Sequence, residues 1–314
     1  MTRPFFYCSD LSRDAAEQSF GTASVGEVWL LIEYREAWGV RALEDSALPA
    51  RVKSHLNKFC KTVPRSRILF IKQERVRPED PLSCFVVRCR ERAPSIMKLH
   101  LSDYGELLEF DADALAGGSL AGQVQIDEPL FLVCTHGKRD KCCAKFGYAL
   151  YKSLRGQSAE TATGDARVWQ SSHVGGDRFA ANLICFPHGL FYAHVTPDGG
   201  RTVIAEYERR RLVLEGYRGR ASYPYPVQAA EFFIRTETGL AAIDELRYLR
   251  RERTGEKSWL ISFAEAGTQR IHEAHIAARP SEFQHYITCG SADEKRVVQY
   301  MLNDYRATDD ATSG

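Results

Sequence analysis

The segment from Leu130 to Val195 constrains the chain more than any other. Leu130 to Cys134 is an apolar run of strand length. The polar loop after it, His136 to Lys141, delivers two adjacent cysteines, Cys142 and Cys143, to a segment, Ala144 to Leu154, whose apolar residues keep helical spacing. Strand, cysteine-bearing loop and helix in that order put soft, anionic donors at a helix N-terminus, where Lys138, Arg139 and Lys141 also favour the thiolate form. Beyond a short strand, Arg167 to Gln170, His173 precedes Gly175 and Gly176, and glycines let backbone approach a metal group closely. A helical turn is expected within Gly176 to Leu183, a hairpin from Ile184 to Phe186 and Leu190 to Val195 across Pro187-His188-Gly189, and a helix from about Gly200 to Glu215. The resulting order, β-α-β-α-β-β-α, is that of a thioredoxin-like layer.

The chain has 314 residues and 44% apolar composition, enough for a large core and more than one unit. Val28 to Ile32, Arg67 to Ile71, Cys84 to Cys89 and Ile96 to Leu101 read as strands, with a helix across residues 46–60, so residues 1–122 form an N-terminal α+β unit. The glycine-bearing stretch Asp111 to Gln123 is a natural boundary. Residues 123–220 are the thioredoxin-like domain and 221–305 a helical and strand extension. In that extension Pro226 to Arg235, Leu240 to Arg253 and Asp293 to Asn303 read as helices, and Trp259 to Ala264 and Arg270 to Ile276 as strands. The polar residues 306–314 read as a disordered tail.

Lysine and arginine number 42 against 41 acidic residues, which argues against a general nucleic-acid or anionic-membrane binder. The N-terminus lacks the apolar core of a signal peptide and no window is apolar enough to span a membrane, so the expected location is cytoplasmic. The nine cysteines are then expected to be reduced unless they bind metal. Cys8, Cys60, Cys84, Cys89, Cys185 and Cys289 have no mutual spacing and read as structural thiols. His136, His188 and His194 read as loop, turn and strand residues. Arg178 reads as half of a surface salt bridge or as a charge offset for the site, and Arg209 to Arg211 and Arg247 to Arg253 as solvated helix faces.

Taken together, CTHGKRDKCC and HVGGDRFAAN resemble the sucrase/ferredoxin-like family, which includes the fungal actin-patch-distribution proteins. The resemblance extends to CSDLSRDAAEQSFGTA, WLLIEYREAWG and YRGRASYPYPVQAAE. It implies an α/β chain: a thioredoxin-like ferredoxin domain with an N-terminal α+β unit and a C-terminal α/β extension. It also implies a [2Fe-2S] cluster with two cysteines on one iron and two histidines on the other. By position Cys134 matches the first cysteine, and Cys143 matches the second by loop length, with Cys142 as the alternative. His173 matches the first histidine of an H-x-G-G-H pattern, whose second histidine is replaced by Asp177. Asp177 then either ligates the outer iron, leaves that position to water or a nearby imidazole, or caps the following turn.

The function implied is electron transfer, with a separate reductase and a separate acceptor as partners, since no G-x-G-x-x-G fingerprint follows a strand. The basic loop from His136 to Lys145 suits an acidic docking partner. A zinc-stabilised binding module is the alternative, because zinc accepts two thiolates, an imidazole and a carboxylate. A thiol-dependent enzyme is disfavoured by the lack of Cys-X-X-Cys, and a hydrolytic one by the lack of an identifiable carboxylate pair.

Overall fold

The computed structural model describes residues 5–74, 77, 79–117, 122–158 and 167–309, and shows a mixed α/β chain with two sheets. After helix α1 (Cys8–Asp14), strand β1 (Val28–Glu33) is buried along its whole length, as its sequence VWLLIE requires of a strand covered on both faces. Helix α2 (Ala50–Thr62) turns Val52, Leu56 and Phe59 inward and carries the chain to β2 (Ser66–Lys72), which is parallel to β1. Strands β3 (Leu82–Arg88) and β4 (Ser95–Leu101) add antiparallel on the other side of β1. Helix α3 (Ala112–Gly117) and the short edge strand β5 (Val124–Ile126), antiparallel to β4, follow.

The second half repeats this arrangement. Strand β6 (Leu130–Cys134), a π-helical turn (Cys143–Gly147), helix α4 (Tyr148–Ser158) and β7 (Val168–Ser171) form another parallel crossover. Strands β8 (Leu183–Phe186) and β9 (Leu190–Tyr192) are the hairpin expected across Pro187-His188-Gly189, with β8 antiparallel to β6. Strand order is β2-β1-β3-β4 in one half and β7-β6-β8-β9 in the other, so the two halves share a topology that the sequence does not display as a repeat. They join antiparallel through β2 and β7, with Ile71 opposite Ser171 and Lys72 opposite Gln170. One ten-stranded sheet therefore crosses the expected boundary near residue 122, and it ends on β10 (Tyr217–Arg220), after helix α5 (Pro197–Glu208).

Several expectations are corrected. Helix α5 is capped by the Thr196 hydroxyl, which accepts from the Gly199 N–H, and starts at Pro197. It stops at Glu208, because Arg210 has φ 57° and cannot continue a helix. In the extension, α6 (Tyr225–Thr238) packs on an antiparallel sheet of β11 (Leu246–Gly255), β12 (Ser258–Glu265), β13 (Arg270–Pro280) and β14 (Val298–Asp309). Leu240 to Arg253 and Asp293 to Asn303 are thus not helices. Good helix formers such as Leu, Arg and Glu are overridden in β11 by pairing with β12, and β14 pairs with β13 over its whole length. The arginines of β11 line an exposed sheet edge rather than a helix face, where charge discourages pairing with another chain. Residues 306–309 belong to β14; the rest of the expected disordered tail lies outside the described residues.

Candidate metal centre

Strands β6 and β7 are parallel, and their C-terminal ends present Cys134 and, two residues past Ser171, His173 on the same side. Cys143 arrives from the π-helical turn that begins the following helix. Donor atoms of Cys134, Cys143 and His173 all lie within 4.8 Å of one another, so these three can hold a metal ion. Both cysteines are buried, whereas the His173 side chain is 25% exposed and forms the solvent edge. Asp177, buried, accepts from the Cys143 thiol at 3.6 Å, and its carboxylate stands 3.0 Å from His173 Nδ1. That nitrogen is buried and faces the Asp177 carboxylate. Asp177 opens the turn Asp177–Phe179 without capping it, its carboxylate being engaged with Cys143 and His173.

The contact with Cys143 holds the Cys134 thiol well below its ordinary pKa, against the opposing effect of burial and with help from His173. The same contact, together with burial, raises Cys143. Burial alone would lower His173, but Asp177 and then Cys134 outweigh it and push the imidazole up to about 9.

Neighbouring elements fix these side chains. His136 is buried, with Nε2 donating to the Gly39 carbonyl at 2.6 Å and Nδ1 accepting from the His173 N–H at 3.1 Å. Burial lowers its pKa, so this neutral ring links the Trp38-Gly39 turn to the backbone of the ligand histidine. On the other side Arg218, fully buried on β10, donates to the Gly175 carbonyl at 3.0 Å, to Asn182 Oδ1 at 2.7 Å and to the Thr22 carbonyl at 2.6 Å. Gly176 has φ 81°, and a Cβ there would sit 2.6 Å from Arg218 Nη2, so this turn needs glycine on both counts. His188 and His194 lie elsewhere, the first against the Tyr207 hydroxyl and the second against Ser9 and Ser12. Arg178 is a largely buried partner of Glu17 at 2.7 Å rather than a surface pair.

Cys142 turns away from this pocket. Its sulfur is 3.6 Å from Cys8 and 3.3 Å from Cys289, with Asp140 alongside, and this second group can also hold a metal ion. Cys8 and Cys289, taken from sequence as structural thiols, are thus corrected to members of a cluster. No local spacing could reveal it, because they lie 134 and 147 residues from Cys142.

The profile of the sucrase/ferredoxin-like family matches residues 19–219. The chain belongs to the sucrase/ferredoxin-like family. The matched span holds Cys134, Cys143, His173, Asp177 and their supports His136 and Arg218, but neither Cys8 nor Cys289. Among curated relatives is the altered inheritance of mitochondria protein 32 of Meyerozyma guilliermondii, 27% identical over 99 residues, 30% of this chain and 35% of the relative. The protein of the same name from Eremothecium gossypii is 30% identical over 124 residues, 35% of this chain and 38% of the relative. The chain therefore spans little more than a third of the length of the curated relatives it matches. No solved structure matches. Among the described residues of this sucrase/ferredoxin-like chain, no helix is long and apolar enough to cross a membrane.

Proposed function

We propose that this protein transfers electrons through a [2Fe-2S] cluster held by Cys134, Cys143, His173 and Asp177. The observation that carries the reading is the convergence of two buried thiols with a part-exposed imidazole, next to a buried carboxylate, in a chain of this family. The strand order β7-β6-β8-β9 with its helical crossover also agrees with a thioredoxin-like layer. When bound, the cluster would supply one-electron chemistry. The chain's own residues do the rest. Cys134 and Cys143 anchor the inner iron in a site closed to water. His173 takes the exposed side, where an electron has the shortest way out and where its proton can follow. His136 and Arg218 hold the two ends of the segment that carries His173.

Protein purified anaerobically is expected to be reddish brown, to contain iron and acid-labile sulfide in equal amounts, and to lose visible absorbance with dithionite. Colourless, iron-free protein after anaerobic reconstitution would overturn the reading. Lys138 and Arg139, exposed on the ligand loop, offer the docking surface for a separate acidic donor or acceptor. Reversing both charges should slow reduction by such a protein and flatten its salt dependence without bleaching the cluster. A reducing, cytoplasmic location is the expectation, which cell fractionation checks.

A single zinc ion is the second reading, favoured by the compactness of the donor atoms, all within 4.8 Å. It predicts colourless protein whose zinc at this site is lost in Cys134→Ser.

Asp177 offers a further check. A carboxylate is hard and anionic and favours the ferric state, so Asp177→His should raise the reduction potential and Asp177→Ala should alter the EPR spectrum. Wild type and both variants with indistinguishable spectra and potentials would show that Asp177 is not a ligand.

A further inference from the structure

The second cysteine group lies outside the pocket just described and draws on three distant parts of the chain. Cys8 opens α1, Cys142 precedes the π-helical turn, and Cys289 lies between β13 and β14. Their sulfurs form a triangle with sides of 3.6, 3.3 and 3.6 Å. A tetrahedral zinc with Zn–S bonds of ~2.3 Å needs sulfurs ~3.8 Å apart, so the triangle is close to one face of such a site. Sulfurs on separate irons of a cluster point outward from different metals and stand much farther apart. A disulfide, at ~2.05 Å, would join two sulfurs and leave the third stranded.

Asp140 supplies a fourth donor. Its carboxylate oxygens lie 3.8 and 3.9 Å from the Cys8 sulfur and accept from the backbone N–H groups of Cys142 at 2.8 Å and Cys289 at 2.7 Å, which fixes the carboxylate's orientation. Two further N–H groups are aimed at sulfur: Ser9 donates to Cys142 at 3.4 Å and Cys8 to Cys289 at 3.5 Å. Donors aimed at sulfur suit thiolates bound to a metal, whose ligands are held in place by such outer bonds. Phe6, Tyr7, Phe146 and Ala180 pack around the group and limit access of water.

We propose that Cys8, Cys142, Cys289 and Asp140 form a structural zinc site that clasps α1 and the segment before β14 to the ligand loop. The proposal does not depend on what occupies the Cys134 pocket. Zinc binding releases the thiol protons to solvent and involves no oxidation or reduction. The clasp would hold Cys142 away from Cys143, so that each adjacent thiolate serves one site.

Elemental analysis of the full chain tests it. Wild type, exposed to Zn2+ and then freed of loosely bound metal, should retain about one more zinc per chain than Cys289→Ser, with iron content and visible absorbance alike in the two. Cys289→His, which keeps a zinc ligand, should retain the ion. Equal zinc in wild type and Cys289→Ser would overturn the proposal, as would loss of iron in place of zinc. The wild-type chain gives a readout free of substitutions: Cys289, the part-exposed member, should resist alkylation until a chelator removes zinc and frees its thiolate, and then react faster. Alkylation unchanged by chelator, or a metal-free disulfide among the three in non-reducing peptide mass spectrometry, would equally overturn it.

Discussion

Cys143→Ser is expected to leave the purified chain with less than about a tenth of the wild-type iron, whereas Cys142→Ser keeps most of it. The expectation follows from direction, since the two residues are adjacent and both fully buried. Cys143 meets Cys134, His173 and Asp177, and Cys142 meets Cys8, Cys289 and Asp140. Even outer partners of a metal ligand change affinity by ~10–100-fold, so losing a ligand sulfur should exceed that. Cys134→Ser should match Cys143→Ser. Iron content and visible absorbance after anaerobic reconstitution, with circular dichroism to verify folding, read the outcome. Bleaching by Cys142→Ser with colour retained in Cys143→Ser would shift the assignment by one residue.

The second large effect is expected far from the pocket. Glu231, fully buried on α6, receives Arg220 at 3.2 Å and Arg235 at 3.2 Å, and its other oxygen accepts from the Tyr217 hydroxyl at 2.9 Å. Both arginines are also buried and bind carbonyls of the segment before β11: Arg220 reaches Ile243, and Arg235 reaches Leu240 and Ala242. Glu231→Gln preserves shape but removes the only carboxylate between two buried cations. Breaking a buried pair in this way costs ~3–5 kcal/mol, because the remaining charge stays desolvated. The urea midpoint should fall accordingly while metal content at saturating load is kept, and a loss below ~1 kcal/mol would show that the cations find water or other partners. Arg218, two residues before Arg220 on β10, holds the histidine-bearing segment, so β10 serves the core and the site together.

Elements with a local signal are legible in the sequence. VWLLI, LFLVC and the hairpin around Pro187 announce strands β1, β6, β8 and β9 through apolar runs bounded by turn residues. The family resemblance groups Cys134, Cys143 or its neighbour Cys142, and His173, and the structure brings the donor atoms of Cys134, Cys143 and His173 together. Elements made by remote contacts are not legible in this way. Leu240 to Arg253 is rich in helix-forming residues, yet its partner β12 makes it a strand. The Cys8–Cys142–Cys289 group has no spacing to read, since its members meet only after the N-terminal segment and the residues past β13 fold back on the loop. The duplicated strand order is silent for a related reason: topology repeats although side chains do not.

The opposite orientations of Cys142 and Cys143 have a consequence for synthesis. Cys134, Cys143, His173 and Asp177 leave the ribosome within one compact stretch, but Cys289 follows Cys142 by 147 residues. At ~5–20 residues per second that interval is roughly 7–30 s. Throughout it Cys142 lacks its last partner, and once Asp177 has been made it sits one peptide bond from a thiol whose own partners are complete. The nascent chain is therefore exposed to mispairing at this point, and delivering metal only after release would keep the two adjacent sulfurs sorted.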